Sequence, residues 1–354
     1  MGLGGERANI CKMAGTIAED IFDFFKWKKI IIDDENFDCC DTEGHFQSKD
    51  GQHGHPVDVV YYYYDPYIKK TVYLNTDLKS YSASSIGATP IRKALISLSK
   101  AIDCARFSPM WQDRYLKSID RWEVRGFLFV YNHDGDYDKN FYGYFDGSNV
   151  AAAGGKKARG ISFSSLPLKK GQKIHIAEPQ MINYMTTVVD DIRTLVCDGV
   201  FKKHKYEFFY PDKTRVKSSS DSKNNAATIE SIFAPFMLIK HPEKNRREDN
   251  GKKYNAGYVV YYNRKGSNYL EFVYLLDMLS NLQILDPSNK IRIRMAASDT
   301  FTETRAVFNR AVDACIEGWG VSEERAFALK QIDFKVLVPS KKTFSKEQIG
   351  WRTQ

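Results

Sequence analysis

The stretch Pro56-Val57-Asp58-Val59-Val60-Tyr61-Tyr62-Tyr63-Tyr64-Asp65-Pro66, followed by Thr71-Val72-Tyr73-Leu74-Asn75-Thr76-Asp77-Leu78-Lys79, decides how the first half of the chain folds. Asp58 opens one apolar run, and Asp77 with Lys79 closes the next. Between them Asp65-Pro66 is a turn dipeptide, because aspartate bonds its local backbone and proline fixes φ. Two strands joined by so short a connection bring Asp58 back beside Asp77 and Lys79. Side chains alternate along a strand, so Asp77 and Lys79 share one face and Leu78 packs on the other. Two carboxylates and an ammonium are costly to bury unpaired. They suit a divalent cation that activates water against a phosphodiester. A hairpin ending in a surface ion pair, worth little energetically, is the alternative reading.

Upstream, residues 10–26 read as an amphipathic helix, with Ile10, Ala14, Ile17, Ala18, Ile21, Phe24 and Phe25 on one stripe. Glu19 falls off that stripe, whereas Glu6 and Asp20 lie nearer its apolar side. The polar residues 33–55 carry His45, His53, His55 and the vicinal pair Cys39-Cys40. These are ligand types for zinc, but no C-x2-C or H-x3-H spacing appears and adjacent cysteines chelate one ion poorly. The expectation is therefore a loop leading His55-Pro56 into the first strand, without zinc.

Downstream, Pro90 opens a helical stripe through Ile91, Ala94, Leu95, Leu98 and Ile102. Gly126 to Tyr131 reads as a buried strand. A Gly/Asp/Lys-rich excursion follows, containing Lys156, Lys157 and Arg159. Residues 174–177 form a short strand, and Pro179 leads a further helix through Leu195.

The order helix, strand pair, helix, strand, strand, helix predicts an α/β fold with a mixed sheet flanked by helices. Pro56, Asp58 and Asp77-x-Lys79, after the helix Gly15-Thr16-Ile17-Ala18-Glu19, resemble the PD-(D/E)xK nuclease superfamily, whose fold is restriction-endonuclease-like. With His55-Pro56-x-Asp58 and the strand Arg125-Gly126-Phe127-Leu128-Phe129, the pattern is similar to nuclease subunits of GAPS-type bacterial antiphage defence systems. The resemblance implies that Asp58, Asp77 and the Leu78 carbonyl bind Mg²⁺ (or Mn²⁺). It implies further that Glu19 completes the metal site and that Lys79 orients the attacking water. DNA would be the target, in antiphage defence, with a second defence subunit docking on the C-terminal half. A DNA-binding or scaffolding subunit with a weak or inactive site, and an RNA-directed nuclease, remain as alternatives.

Composition shifts after Phe201, giving expected domains at 1–200 (nuclease-like) and 201–354, a second, smaller α/β domain for assembly or sensing. Lys202, Lys203 and Lys205 crowd the start of that half among aromatics. Together with Lys156, Lys157 and Arg159 they are candidates for nucleic-acid contact, against a competing reading as solvated surface. Ser218–Asn225 and Glu243–Lys253 read as polar loops. Residues 236–239, 258–262 and 334–338 look like strands, and residues 269–285 and about 302–318 like helices. Ile291-Arg292-Ile293-Arg294-Met295 alternates as a half-buried strand does, which predicts exposed Arg292 and Arg294. Nothing in this half proposes a second active site.

The 354 residues suffice for two domains, and a net charge of +8 is compatible with a polyanion partner. The six cysteines are scattered apart from one vicinal pair, which suits a reducing compartment. No membrane-length apolar stretch and no secretory signal are read, so the expectation is a soluble, cytoplasmic protein.

Overall fold

Asp65 ends the first hairpin strand as its dipeptide predicts: Oδ1 accepts the N–H of Tyr67 at 2.9 Å and of Ile68 at 3.3 Å. Lys69 then takes a left-handed φ of 52° to close the turn. The structure, a computed structural model, describes residues 3–32, 35–45, 54–117, 121–149, 160–211, 225–243 and 256–343. Backbone packing divides the chain into residues 1–182 with 342–354, and residues 183–341. The composition shift after Phe201 places that change at 200/201 instead.

The first unit runs α1 (Leu3–Phe24), β1 (Lys28–Lys29), β2 (Phe37–Asp38), β3 (Gly54–His55), β4 (Val59–Asp65), β5 (Lys70–Tyr81), α2 (Ala88–Ala105), α3 (Pro109–Tyr115), β6 (Trp122–Asn132), α4 (Gly143–Asp146) and β7 (Ile174–Ala177). Its five-stranded sheet has the order β1-β4-β5-β6-β7. The β1–β4 and β4–β5 pairs are antiparallel, while β5–β6 and β6–β7 are parallel. That is the mixed sheet the element order predicts.

Helices cover both faces. On one, Phe22 at the end of α1 stacks on Trp27 at 4.4 Å and meets Tyr61, Phe127 and Phe129 edge-on. On the other, Ile91, Leu95, Leu98 and Ile102 of α2 pack with Val60, Tyr73, Leu128 and Val130. Gly126 sits where α2 meets β7, since a Cβ there would lie 2.9 Å from both Leu98 Cγ and Ile174 Cγ1.

The helix α5 (Pro179–Cys197) leads into the second unit. There follow β8 (Glu207–Phe208), α6 (Ile229–Phe233), β9 (Phe236–His241), β10 (Gly257–Tyr262), α7 (Tyr269–Asn281), β11 (Lys290–Met295), α8 (Thr304–Trp319), α9 (Glu323–Lys330) and β12 (Asp333–Val336). The sheet order is β12-β11-β10-β9-β8, with β11 parallel to both of its neighbours. Asn268 and Glu271 form a reciprocal capping box that starts α7. Phe272, Leu275, Leu276 and Leu279 of α7 pack with Val260, Ile293, Met295 and Phe334 of the sheet and Phe308 of α8.

One expectation is overturned here: Arg292 and Arg294 are buried, at 7% and 4% exposure. A parallel strand between two neighbours is covered on both faces. The arginines are matched by Asp333 (Arg294 Nη2 at 2.8 Å), by Asp191 (Arg294 Nε at 3.6 Å) and by His241 (Arg292 Nη1 at 3.1 Å). Of the two polar loops, residues 218–224 and 244–253 lie outside the described residues. Among the described residues no helix is long and apolar enough to cross a membrane.

Candidate active site

The hairpin register carries Asp58 to Asp77. Val59 pairs with Thr76, so one step further along the antiparallel ladder Asp58 stands opposite Asp77. Like charges directly opposed across strands repel, and the local structure shows how they are held. Asp58 Oδ2 accepts the Leu78 N–H at 2.6 Å, which fixes its carboxylate to the backbone of β5. Asp77 accepts from the Lys79 ammonium, two residues on and on the same face of the strand. Leu78 turns the other way: a Cβ on Gly15 of α1 would lie 3.9 Å from Leu78 Cδ1.

This end of β5 is half-buried from Asp77 to Tyr81, so the group is reachable from solvent. Burial first, and then the charge of Asp77, push the Asp58 carboxyl up to about 6 from its usual 3.8, against the pull of Lys79 and the Leu78 N–H. The two carboxyl groups are close enough for protonated Asp58 to donate to Asp77. Burial works against the Lys79 ammonium, but Asp77 and Asp58 outweigh it and hold its pKa above the usual lysine value. Burial also lifts the Tyr81 phenol, which lies on the same face. Two carboxylates against one ammonium leave an uncompensated negative charge whenever both acids are ionised.

Glu19 lies elsewhere. Its carboxylate pairs with Lys29 and is 52% exposed. Among the described residues no hydrogen bond or ion pair joins it to Asp58, Asp77 or Lys79. Asp20 pairs with Lys342 at 2.6 Å, and the side chain of Glu6 lies outside the described residues. Alternation explains the separation of Glu19: α1 packs on the Leu78 side of β5, and Asp77 and Lys79 project from the opposite side.

Lys156, Lys157 and Arg159 lie outside the described residues, while Lys202, Lys203 and Lys205 are exposed in the second unit. One feature near the site escaped the sequence reading. Both oxygens of Asp134 accept the Ala83 N–H, at 3.1 and 2.9 Å, and Oδ1 accepts from Asn132 Nδ2 at 2.6 Å. This ties the chain leaving β5 to the end of β6. The Asp134-Gly135 turn dipeptide was its signal in the sequence.

Residues 1–181 match the family model described as GAPS4 protein PD-(D/E)XK nuclease domain. No curated protein and no solved structure matches the chain. The chain belongs to this PD-(D/E)XK nuclease family, and its mixed α/β core is the restriction-endonuclease-like fold.

Proposed function

We propose that this member of the PD-(D/E)XK nucleases is a divalent-metal-dependent endonuclease that hydrolyses DNA phosphodiester bonds in antiphage defence, together with a second subunit. The observation that carries the reading is the opposition of Asp58 and Asp77 at the hairpin end, with Lys79 beside them. The donor set fits Mg²⁺ or Mn²⁺: two hard carboxylates with excess negative charge, one of them raised by burial and then by the charge of the other. Asp58, Asp77 and the Leu78 carbonyl would hold the ion. Such an ion supplies a bound water of lowered pKa and a positive charge against the phosphate.

The chain's own residues do the positioning. The Leu78 N–H holds the Asp58 carboxylate in place, so it need not reorganise during the reaction. Lys79 keeps its ammonium charged beside both acids, where it orients water or meets a phosphate oxygen. Glu19, paired with Lys29, stays outside this machinery. Lys202, Lys203 and Lys205 offer exposed positive charge for a nucleic-acid backbone, and the second unit serves assembly or sensing.

Nicking of supercoiled plasmid in Mg²⁺ tests the reading. Wild type should nick, while Asp77→Ala and Lys79→Ala should lose the activity with folding intact. Persistent cleavage by the Asp77→Ala/Lys79→Ala double variant would refute the site. An RNA substrate run in parallel tests the choice of sugar.

A further inference from the structure

Away from the acid pair, four side chains from three parts of the first unit converge. Cys39 follows β2, His45 ends the turn that begins at Asp41, His55 ends β3, and Cys104 lies in the last turn of α2. Their candidate ligand atoms all lie within 4.8 Å of one another. Cys39 Sγ is 3.7 Å from Cys104 Sγ and 3.5 Å from His45 Nδ1, and Cys104 Sγ is 3.3 Å from the same nitrogen.

These distances are the edges of a tetrahedron around zinc. Zn–S bonds of about 2.3 Å and Zn–N bonds of about 2.0–2.1 Å at tetrahedral angles give S···S near 3.8 Å and S···N near 3.5 Å. The sulfurs are unbonded thiols. His55 is wholly buried, and among the described residues neither of its ring nitrogens has a hydrogen-bond partner. A buried imidazole with both nitrogens unanswered is expensive, and a metal bond answers one of them.

The surroundings fit as well. The far nitrogen of His45, Nε2, is 3.3 Å from Asp103 Oδ2, the arrangement of a carboxylate that orients a metal-bound histidine. The Cys40 N–H donates to Cys104 Sγ at 3.2 Å, as backbone amides do to a thiolate. Two thiolates and two imidazoles select zinc over the hard cations that suit carboxylates.

We propose that Cys39, His45, His55 and Cys104 bind a structural zinc ion, distinct from the carboxylate site. With four protein ligands the site is closed to substrate, and its work is mechanical. It ties the β2–β3 segment to the end of α2. Because His55 is followed by Pro56 and Val57, it also anchors the chain three residues before Asp58.

Elemental analysis of the full-length protein, purified without a polyhistidine tag or chelator, tests this. One zinc per chain is expected, retained in Cys40→Ser and Asp77→Asn. It should be lost in Cys104→Ser and in His55→Ala. Should those variants fail to fold, cobalt exchanged into wild type provides the second readout: intense tetrahedral d–d bands with thiolate charge transfer. Zinc-free wild type, zinc lost only with Asp77→Asn, or only weak octahedral cobalt bands would each overturn the proposal.

Discussion

Both five-stranded sheets place charged side chains on their strands, and they resolve the charge differently. In the second unit Arg294 bonds Asp333 at 2.8 Å and faces Asp191, whose Oδ2 also accepts from Tyr261 at 2.9 Å. Arg292 lies 3.8 Å from Asp333. Each aspartate here has an arginine within reach. Burial still lifts the Asp191 carboxyl, with Arg294 and Tyr261 opposing it. In the first unit, among the described residues, Asp58 and Asp77 share the Lys79 ammonium, and burial first, then the charge of Asp77, raises the Asp58 carboxyl. A balanced cluster is what holding a sheet together requires. An unbalanced one, half-buried at a strand end, is a candidate for completion by a cation from outside.

Substitutions that remove charge should therefore act in opposite directions in the two units. The largest effect falls on activity: Asp77→Ala or Lys79→Ala lowers plasmid nicking by about 1,000-fold or more, roughly 4 kcal/mol of transition-state stabilisation. Next comes Arg294→Met, which strands Asp191 in the second unit. It should lower stability by about 3–5 kcal/mol, read from denaturant titration of the full chain. An unchanged midpoint would show that the second cluster is not structural.

Smaller and opposite in sign is Asp58→Asn in chelator-treated protein. Folded Asp58 titrates at about 6 against 3.8 when unperturbed, so it binds protons more tightly in the folded chain. Its stabilising contribution is full below the unfolded value and is lost as pH rises through about 6. The asparagine variant should thus be more stable than wild type at pH 8, by up to about 3 kcal/mol, with the advantage gone at pH near 4. A variant that melts lower at pH 8 would remove the contrast between the clusters. Smallest is Glu19→Gln, which breaks an exposed pair with Lys29 worth at most about 1 kcal/mol. Its nicking rate should stay within about threefold of wild type, and a loss approaching that of Asp77→Ala would bring Glu19 into the site.

What the sequence made legible follows from how local its signals were. The hairpin was readable because Asp65-Pro66 sets the turn and period-two alternation sets the faces, and these two facts bring Asp58 to Asp77 and Lys79. The helix carrying Glu19 was equally readable, with Met13, Ala14, Ile17, Ala18 and Ile21 buried along it. An amphipathic stripe says which side is buried, however, and not what an off-stripe residue meets. Lys29 reaches Glu19 only after the chain reverses through Lys26, at a left-handed φ of 61°.

Arg292 and Arg294 were misread because alternation alone cannot tell a half-exposed strand from one covered on both faces. Their partners Asp191, His241 and Asp333 are distant in sequence. The Cys39, His45, His55 and Cys104 cluster was illegible for the same reason. Its fourth member sits on α2, 65 positions from Cys39, and no regular spacing announces it.

Anomalous diffraction from crystals grown with Mn²⁺ tests the central claim most directly. The expected result is a manganese peak at Asp58 and Asp77, absent from Asp77→Ala crystals. Manganese bound elsewhere, with Asp58 and Asp77 sharing a proton and no ion between them, would contradict it.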